Sequence, residues 1–410
     1  MRPHSAFLRR GLLAAAAVVA PILACEPDAA PTALTAPLEA SRGAAPRAAL
    51  ASPRWQAIEA NLVAQANLAA VVSTRAYSLL GVAQYLAVQR AEGGGRSRHA
   101  SDAGDGSDAG AVAGASAVVL SYLFPPQAQA LEDTVKAQRG TGPGFARGEV
   151  IGRAVGAEIV ARAQADGFST PFTGTIPVGP GLWISNTTPA TIAGGPLPGV
   201  RPWFLESARQ FRPGPPPAFG SAHFLAALAE IRHISDTRTS QQIQIATVWA
   251  QGAGTPTTAG FWLQLATDGI SSHRFSERQA THLYALLSAT MFDAQIGCWD
   301  AKETYWFIRP WQADPGITVV AAVGKPNHPS YPSGHSCLSS SAGEVLGAFF
   351  PEQRHELNAM VTEAGLSRMY GGIHYRFDIE AGQRLGRGVA RFTMRADRSG
   401  HSVLTPDHER

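Results

Sequence analysis

Residues 302–378 contain three short stretches: KETYWFIRP at 302–310, PSGH at 332–335 and SRMYGGIHYRFD at 367–378. Together they supply three cationic side chains, a serine hydroxyl, a glycine amide, two imidazoles and a carboxylate. This inventory suits a tetrahedral oxyanion, because cations and N–H groups can bind its equatorial oxygens while an imidazole approaches its apex. The candidate site residues are Lys302, Arg309, Ser333, Gly334, His335, Arg368, His374 and Asp378.

Lys302 and Arg309 are seven positions apart in a segment with helical patterning. Two turns of an α-helix contain about 7.2 residues, so a continuous helix would place both side chains on one face. A capping-box pattern at Ser276 and Gln279 predicts where this helix begins, and Pro310 predicts that it ends one or two residues earlier. Taken alone, the pair is more typical of a basic helix face in solvent.

Ser333, Gly334 and His335 precede an apolar segment that predicts another helix. The start of that helix would present unpaired N–H groups to an anion, and Ser333 would add a hydroxyl donor. His335 would then lie where it can exchange a proton near neutral pH. A capped helix start with a surface histidine would have the same sequence pattern.

The third stretch places Arg368 upstream of His374 and Asp378. In a helix, the spacing of four would bring the carboxylate beside the ring, fix its tautomer and raise the basicity of the other nitrogen. An imidazole held in this way can attack phosphorus or ligate vanadium. A structural Asp–His pair is the commoner explanation for this stretch alone, but three stretches with complementary parts favour one functional site.

The remaining sequence predicts an all-α fold. Apolar residues recur at helical spacing in 55–92, 111–123, 127–138, 146–166, 221–234, 239–251, 334–349, 353–368 and 375–395, without strand-like alternation of useful length. Residues 167–219 are rich in proline and glycine, which predicts a long irregular segment, anchored by Trp183, Trp203 and Phe204, that wraps the helices and shapes the mouth of the site. We therefore predict an N-terminal helical region at 54–275 and a core at 276–400 that carries the site.

The N-terminus has the pattern of an export signal. Arg2, Arg9 and Arg10 precede an apolar run that ends at Ala24, directly before Cys25. This pattern predicts a signal peptide at 1–24. Residues 22–25 also resemble a bacterial lipobox, which predicts a lipidated cysteine and a flexible tether at 25–53; a plain signal peptide with an incidental cysteine is the alternative. The protein would then be periplasmic, or anchored to a membrane through that cysteine only.

The formal net charge is +3, and the three arginines of the predicted signal account for it. Bulk electrostatics therefore gives no support for nucleic-acid binding. No later segment is apolar over the about 20 residues that a membrane-spanning helix needs. Cys298 and Cys337 remain in the mature chain, where either a disulfide or two buried free thiols would fit.

Together, the three stretches resemble the signature of the superfamily of type 2 phosphatidic acid phosphatases and vanadium-dependent haloperoxidases. Segments at 210–213, 238–242 and 292–302 are also similar to bacterial haloperoxidase-type members, so the resemblance covers about residues 54–400. It implies a helical bundle of the phosphatase/haloperoxidase type, which agrees with the helical patterning.

The resemblance also implies a role for each site residue. His374 would be the apical ligand of vanadate in a peroxidase, or the nucleophile that forms phosphohistidine in a phosphatase. Asp378 would orient His374, and His335 would be the acid–base partner on the opposite side. Five residues would bind the equatorial oxygens of the anion: Lys302, Arg309, Ser333, Gly334 and Arg368.

Two activities follow from this resemblance. A haloperoxidase would use vanadate as cofactor and take hydrogen peroxide and a halide, whereas a soluble acid phosphatase would need no cofactor and take a phosphate ester. His328, seven residues before His335, and Trp299, three before Lys302, resemble residues that line the halide side of a haloperoxidase; a loop histidine and a core tryptophan are the alternatives.

The length of the chain also favours the peroxidase, because the lipid phosphatases of the superfamily span the membrane and its soluble acid phosphatases are shorter. A non-catalytic oxyanion-binding lipoprotein is a third candidate, but binding alone would require neither His335 nor the His374–Asp378 pair. Related peroxidases are often dimeric, so the resemblance also suggests a homodimer.

Overall fold

The computed structural model describes residues 49–93, 106–140, 142–400 and 402–405. These residues form thirteen α-helices and no β-strand; an isolated antiparallel bridge joins Leu182 to Phe307. The helices are α1 Ala51–Gln65, α2 Ala70–Gly93, α3 Ser107–Leu123, α4 Ala128–Gln138, α5 Phe145–Gln164, α6 Ala222–Thr237, α7 Ser240–Val248, α8 Thr257–Ser272, α9 Glu277–Tyr305, α10 Pro310–Ala313, α11 Gly334–Phe349, α12 Arg354–Tyr370 and α13 Arg376–Arg398.

The all-α prediction is confirmed, with corrections to individual elements. The segment 55–92 is two helices, α1 and α2, and α8 and the short α10 were not predicted. Helix α1 begins at Ala51, within the predicted tether 25–53, and Glu277 accepts hydrogen bonds from its first two N–H groups. The predicted signal peptide, Cys25 and the rest of the tether lie outside the described residues.

Helix α9 lies at the centre of the fold. Every residue from Leu283 to Lys302 is buried, because α2, α8, α11 and α13 pack around it. A helix that is buried on all sides needs apolar or small residues on all sides, and this one has Ala, Leu, Met and Cys on successive faces. The predicted capping box at Ser276 and Gln279 is present at its start.

Helices α3 and α5 pack backbone against backbone through glycines. A Cβ atom added to Gly148 would lie 1.9 Å from the carbonyl oxygen of Ser107, and one added to Gly110 would lie 2.1 Å from that of Phe145. Glycine therefore sets the distance between these two helices. Helix α2 packs against both and connects them to α9.

The segment between α5 and α6 is irregular except for one 3₁₀ turn at Leu197–Gly199, as predicted. It is anchored on α9 at Asp293, whose carboxylate accepts hydrogen bonds from three successive backbone N–H groups, those of residues 203–205, at 2.7–3.0 Å. Arg212 adds a two-pronged ion pair with Asp300, at 2.6 and 2.7 Å. Trp183 and Trp203 are buried in this segment, as predicted.

The prediction that one helix carries both Lys302 and Arg309 is wrong. Helix α9 ends at Tyr305, and Trp306 adopts a left-handed conformation with φ 47°. Backbone hydrogen bonds to the irregular segment then hold the chain extended: Trp183 donates to Trp306, and Ile308 donates to Gly181. Lys302 therefore extends from the last turn of α9, whereas Arg309 extends from the loop before α10.

No helix in the described part of the chain combines the length and apolar character needed to cross a membrane.

Gly148→Ala should lower the free energy of unfolding by about 1–3 kcal/mol, because the added methyl group overlaps backbone atoms of α3 that cannot rotate away. Alanine has the higher intrinsic helix propensity, so a loss of stability would come from packing alone. Chemical denaturation measures the change, and Gly199→Ala, where an added Cβ has no neighbour within 4 Å, is the matched control. Equal stability of both variants would contradict the close packing.

Candidate active site

Three cationic side chains of the predicted site are almost completely buried. The exposed fraction is 0% for Lys302, 0% for Arg309 and 1% for Arg368. Within the described residues, none of their recorded hydrogen bonds goes to a carboxylate. Burial without a paired anion is unfavourable for a charge, and it lowers the pKa of Lys302 to about 8, of Arg309 to about 10 and of Arg368 to about 9.

The ammonium group of Lys302 donates to three backbone carbonyls, those of Pro329, Ser330 and Pro332, at 2.8, 3.0 and 2.5 Å. All three of its N–H donors are therefore used in holding the loop before α11. Lys302 could bind an oxyanion directly only by giving up one of these carbonyls.

Arg309 connects two histidines. Its guanidinium donates to the His374 Nε2 and the His328 Nδ1 atoms, both at 3.0 Å, and to the backbone carbonyls of His328 and Ile373. A guanidinium can only donate, so both ring nitrogens must be acceptors. His374 therefore carries its proton on Nδ1 and His328 carries its proton on Nε2, and the 3.3 Å approach of the His328 Nδ1 atom to the Pro329 carbonyl is not a hydrogen bond.

Asp378 fixes the orientation of His374. Its Oδ2 atom accepts from the His374 Nδ1 atom at 2.8 Å, from the backbone N–H of Tyr375 at 3.1 Å and from the Ser330 hydroxyl at 2.5 Å. The two residues do not share a helix face as predicted: His374 precedes α13, and Asp378 lies in its first turn. The contact forms because the chain turns into the helix at Tyr375.

The His374 Nε2 atom is thereby the basic position of the ring. Burial and the nearby charges of Arg309 and Lys302 lower the pKa of His374 well below its usual value, so the ring is neutral at pH 7. Burial also raises the pKa of Asp378 to about 6, against the opposing hydrogen bond from Ser330 and the charge of Lys302. At pH 7 the pair is therefore a carboxylate and a neutral imidazole whose Nε2 lone pair accepts a hydrogen bond from Arg309.

Ser333, Gly334 and His335 form the start of α11, as predicted. Ser333 is the N-cap, and its hydroxyl accepts from the Ser336 N–H at 3.4 Å. The His335 Nε2 atom donates to the carbonyl of Trp249 at 2.9 Å and lies 3.2 Å from the Thr258 hydroxyl. This tautomer leaves the His335 Nδ1 atom as the proton acceptor, and burial with the charge of Arg368 lowers the pKa of the ring.

A cavity of about 390 Å³ brings these elements together. Its walls include both histidines of the site, Arg368 and the exposed edge of Gly334, and the irregular segment contributes Ala193. Trp299 and His328 also line it, with ring centroids 5.0 Å apart, and the Trp299 indole donates to the Ala193 carbonyl at 2.8 Å. The irregular segment thus does form part of the cavity wall.

Of the predicted residues, six line this cavity: Trp299, His328, Gly334, His335, Arg368 and His374. The other four lie behind the wall, where they hold or orient the lining residues: Lys302, Arg309, Ser333 and Asp378.

Three further residues that were not predicted contact the site. Ser330 binds Asp378, while Trp249 and Thr258 hold His335. Ser330 lies three residues before Ser333, so its nearness to the second stretch was a usable signal. Trp249 and Thr258 come from elements more than 75 residues upstream of His335, and nothing in their local sequence marks them.

Cys298 and Cys337 are both buried, and both are free thiols. The Cys298 thiol donates to the Pro332 carbonyl at 3.8 Å; burial raises its pKa, but the neighbouring Cys337 thiol and the charge of Lys302 outweigh this effect and lower the pKa. The structure thus has the free-thiol alternative of the two that the sequence left open.

Comparisons with other sequences identify relatives of the segment that carries the site. Residues 281–400 match the family model for the PAP2 superfamily. A non-specific acid phosphatase of Providencia stuartii is 28% identical over 183 residues, which are 43% of this chain and 69% of that protein. A non-specific acid phosphatase of Salmonella typhi is 40% identical over 57 residues, which are 14% of this chain and 23% of that protein.

Comparisons with solved structures extend over most of the chain. The crystal structure of a bacterial vanadium-dependent iodoperoxidase covers 84% of this chain and 95% of its own, with a TM-score of 0.72 and 24% identity. A holo-type bacterial vanadium-dependent chloroperoxidase covers 82% of this chain and 92% of its own, with a TM-score of 0.62 and 13% identity. At these identities the likeness establishes the fold alone. Residues 281–400, which contain the three motif stretches, thus match the PAP2 superfamily, and the described residues have the fold of these peroxidase structures.

Proposed function

We propose that the protein is a vanadate-dependent haloperoxidase that oxidises a halide with hydrogen peroxide. The observation that carries this proposal is the pairing of Trp299 and His328 in the cavity wall, next to His374 and Arg368. Because Arg309 fixes the tautomer of His328, its Nε2 atom is an N–H donor. A neutral N–H donor beside an indole, at a cavity ringed by buried cations, can hold a small anion such as a halide.

The residues present fit vanadate. Three buried cations lie around the site, and among the described residues Asp378 is the carboxylate that contacts His374. The negative charge of an oxyanion would compensate the excess positive charge. Arg368 donates through Nε and Nη2 to Ser367 and Ala246, and no partner is recorded for its Nη1 atom within the described residues. In this proposal His374 would exchange its hydrogen bond from Arg309 for vanadate at Nε2. Gly334 and Arg368 in the cavity wall would hold the vanadate oxygens, together with Lys302, Arg309 and Ser333 once these turn from their present partners.

Bound vanadate would supply the activation of hydrogen peroxide toward attack by the halide. The chain's own residues would bind, orient and move protons. Asp378 and Ser330 keep the His374 lone pair on Nε2. Formation of hypohalous acid from peroxide and halide consumes one proton, and the His335 Nδ1 atom is the group on the cavity wall suited to exchange it.

An acid phosphatase is the second candidate, because the matched sequence relatives carry that name. The same site residues would suffice for hydrolysis of a phosphate ester. The His374 Nε2 atom would attack phosphorus, His335 would protonate the leaving oxygen, and water would then hydrolyse the phosphohistidine. This activity would require no cofactor.

The proposal also includes an export signal and a lipid anchor at Cys25. The protein would then be periplasmic or membrane-anchored, and it would form a homodimer.

A paired assay of the purified protein separates the two functions. One arm supplies vanadate, peroxide and bromide and measures halogenation of a dye; the other measures hydrolysis of a phosphate monoester with and without vanadate. We expect vanadate to activate the first reaction, whereas a phosphatase would hydrolyse the ester and be inhibited by vanadate. His374→Ala should abolish whichever activity is present while the circular dichroism spectrum stays unchanged. Inactivity of the wild-type protein in both arms would contradict both candidates.

Ser330→Ala should lower kcat/KM by roughly tenfold, because Asp378 loses a hydrogen bond to its charged form. The same loss should raise the pKa of Asp378, since the Ser330 hydroxyl lowers it. Because the carboxylate orients His374, activity should fall as the pH drops through about 6 in the wild type. In the variant this acidic limb should therefore move to higher pH. An unchanged pH profile of kcat/KM would show that Ser330 does not act through Asp378.

His328→Phe should raise the KM for the halide by roughly tenfold, because the ring loses its N–H donor to an anion. The apparent affinity for vanadate should change less, because His328 lies across Arg309 from His374. Steady-state kinetics with varied bromide and varied vanadate measures both, and His233→Phe on the exposed face of α6 is the control. A loss confined to vanadate affinity would argue against a halide site at His328.

A further inference from the structure

Helix α1 has a buried stripe of polar residues, none of which lines the cavity just described. Ser52, Trp55, Gln56 and Glu59 lie on one face of the helix, and each is at most 5% exposed. Each has at least one buried side-chain nitrogen or oxygen without a hydrogen-bond partner among the described residues. Buried polar groups are nearly always paired, so this stripe requires an explanation.

Of these four residues, Glu59 is the one for which burial without a hydrogen-bond partner is most unfavourable. Its side chain is completely buried, and neither carboxylate oxygen has a partner. No ion pair to it is recorded in the described part of the chain, and burial raises the pKa of the carboxyl well above its usual value. A carboxylate in this position is stable only if a donor or a positive charge reaches it.

The neighbouring Gln56 also presents an acceptor rather than a donor. Ser116 donates its one hydroxyl proton to the carbonyl of Val112 at 2.7 Å, so its oxygen must accept from the Gln84 amide nitrogen at 3.0 Å. The Gln84 oxygen then accepts from the Gln56 amide nitrogen at 3.1 Å. This chain of bonds fixes the orientation of Gln56 and leaves its Oε1 atom as a buried, unpartnered acceptor.

We propose that Glu59 and Gln56 form a site for a monovalent cation, sodium or potassium. The two carboxylate oxygens of Glu59 and the Oε1 atom of Gln56 are buried and can only accept hydrogen bonds. The two residues are three positions apart on one face of α1. Hard cations prefer such oxygen ligands. One carboxylate matches one positive charge, whereas calcium sites generally use several charged ligands.

The surroundings leave room for the remaining ligands. Gln56 also lines a cavity of about 30 Å³ between α1, α2 and α8, next to Tyr77 and Thr267. A cavity of this size can hold one or two water molecules, which would reach the site from the side of Gln56.

The cation would stabilise the attachment of α1 to the rest of the fold. Helix α1 packs on α2, α3, α8 and α9, and its N-terminus is held by Glu277. A bound cation adds a second attachment one to two turns further along. This effect is on stability and does not pass through the oxyanion site.

Thermal unfolding of the full chain in sodium, potassium and choline chloride at equal ionic strength tests the proposal. Chloride is kept constant because the cavity at His374 could bind it. Sodium or potassium should raise the Tm by about 2 °C or more relative to choline, which is too large for the site. Glu59→Gln should remove this difference, whereas Glu380→Gln on the exposed face of α13 should retain it. Equal Tm values of the wild-type protein in all three salts would overturn the proposal.

Crystals provide a test that does not depend on a variant that folds. Crystals of the wild-type protein soaked in rubidium should show an anomalous peak between the Glu59 carboxylate and the Gln56 Oε1 atom. Water density without an anomalous peak there would mean that Glu59 is buried in its protonated form, and the cation site would be wrong.

Discussion

Buried positive charge is the constraint on which the site depends. Lys302, Arg309 and Arg368 are almost completely buried, and among the described residues none of their hydrogen bonds goes to a carboxylate. Backbone carbonyls replace the water instead, on the loop before α11, on the turn before α13 and at the end of α7. Carbonyl dipoles reduce the cost of burial without cancelling the charge, so the cavity keeps its attraction for an anion.

The same arrangement explains the neutral histidines. Burial first, and the neighbouring cations second, disfavour protonation of the imidazoles at the cavity, and the pKa values of His328, His335 and His374 are all lowered. Each ring therefore has one defined tautomer, set by a neighbour that can only donate or only accept. The negative charge of a bound oxyanion would offset part of the positive potential in the cavity. The proton affinity of His335 would therefore depend on what occupies the site.

The site residues could be predicted from sequence because each stretch has its own chemical signature. Their relative placement could be predicted only in part. The expectation of one continuous helix from Lys302 to Arg309 failed because backbone hydrogen bonds from residues 181–183 extend the chain after Trp306, and no local pattern in 302–310 contains that information. Similarly, the spacing of His374 and Asp378 suggested a helix face, whereas a helix start supplies the contact. Helix α8 was missed although it supplies Thr258 and although its buried residues, such as Trp262, Ala266 and Ile270, recur at helical spacing.

The extended backbone from Trp306 to Arg309 has a consequence for how such a site can diversify. Arg309 is held in place by a segment of about 50 residues that is not itself part of the three stretches, and this segment also meets Trp299 and the loop of His328 through Ala193. Insertions or substitutions there could reshape the entrance and reposition the wall opposite His374 while every anion-binding side chain stays the same. Grafting this loop between related proteins would thus be a route to new substrate selectivity on a constant catalytic framework.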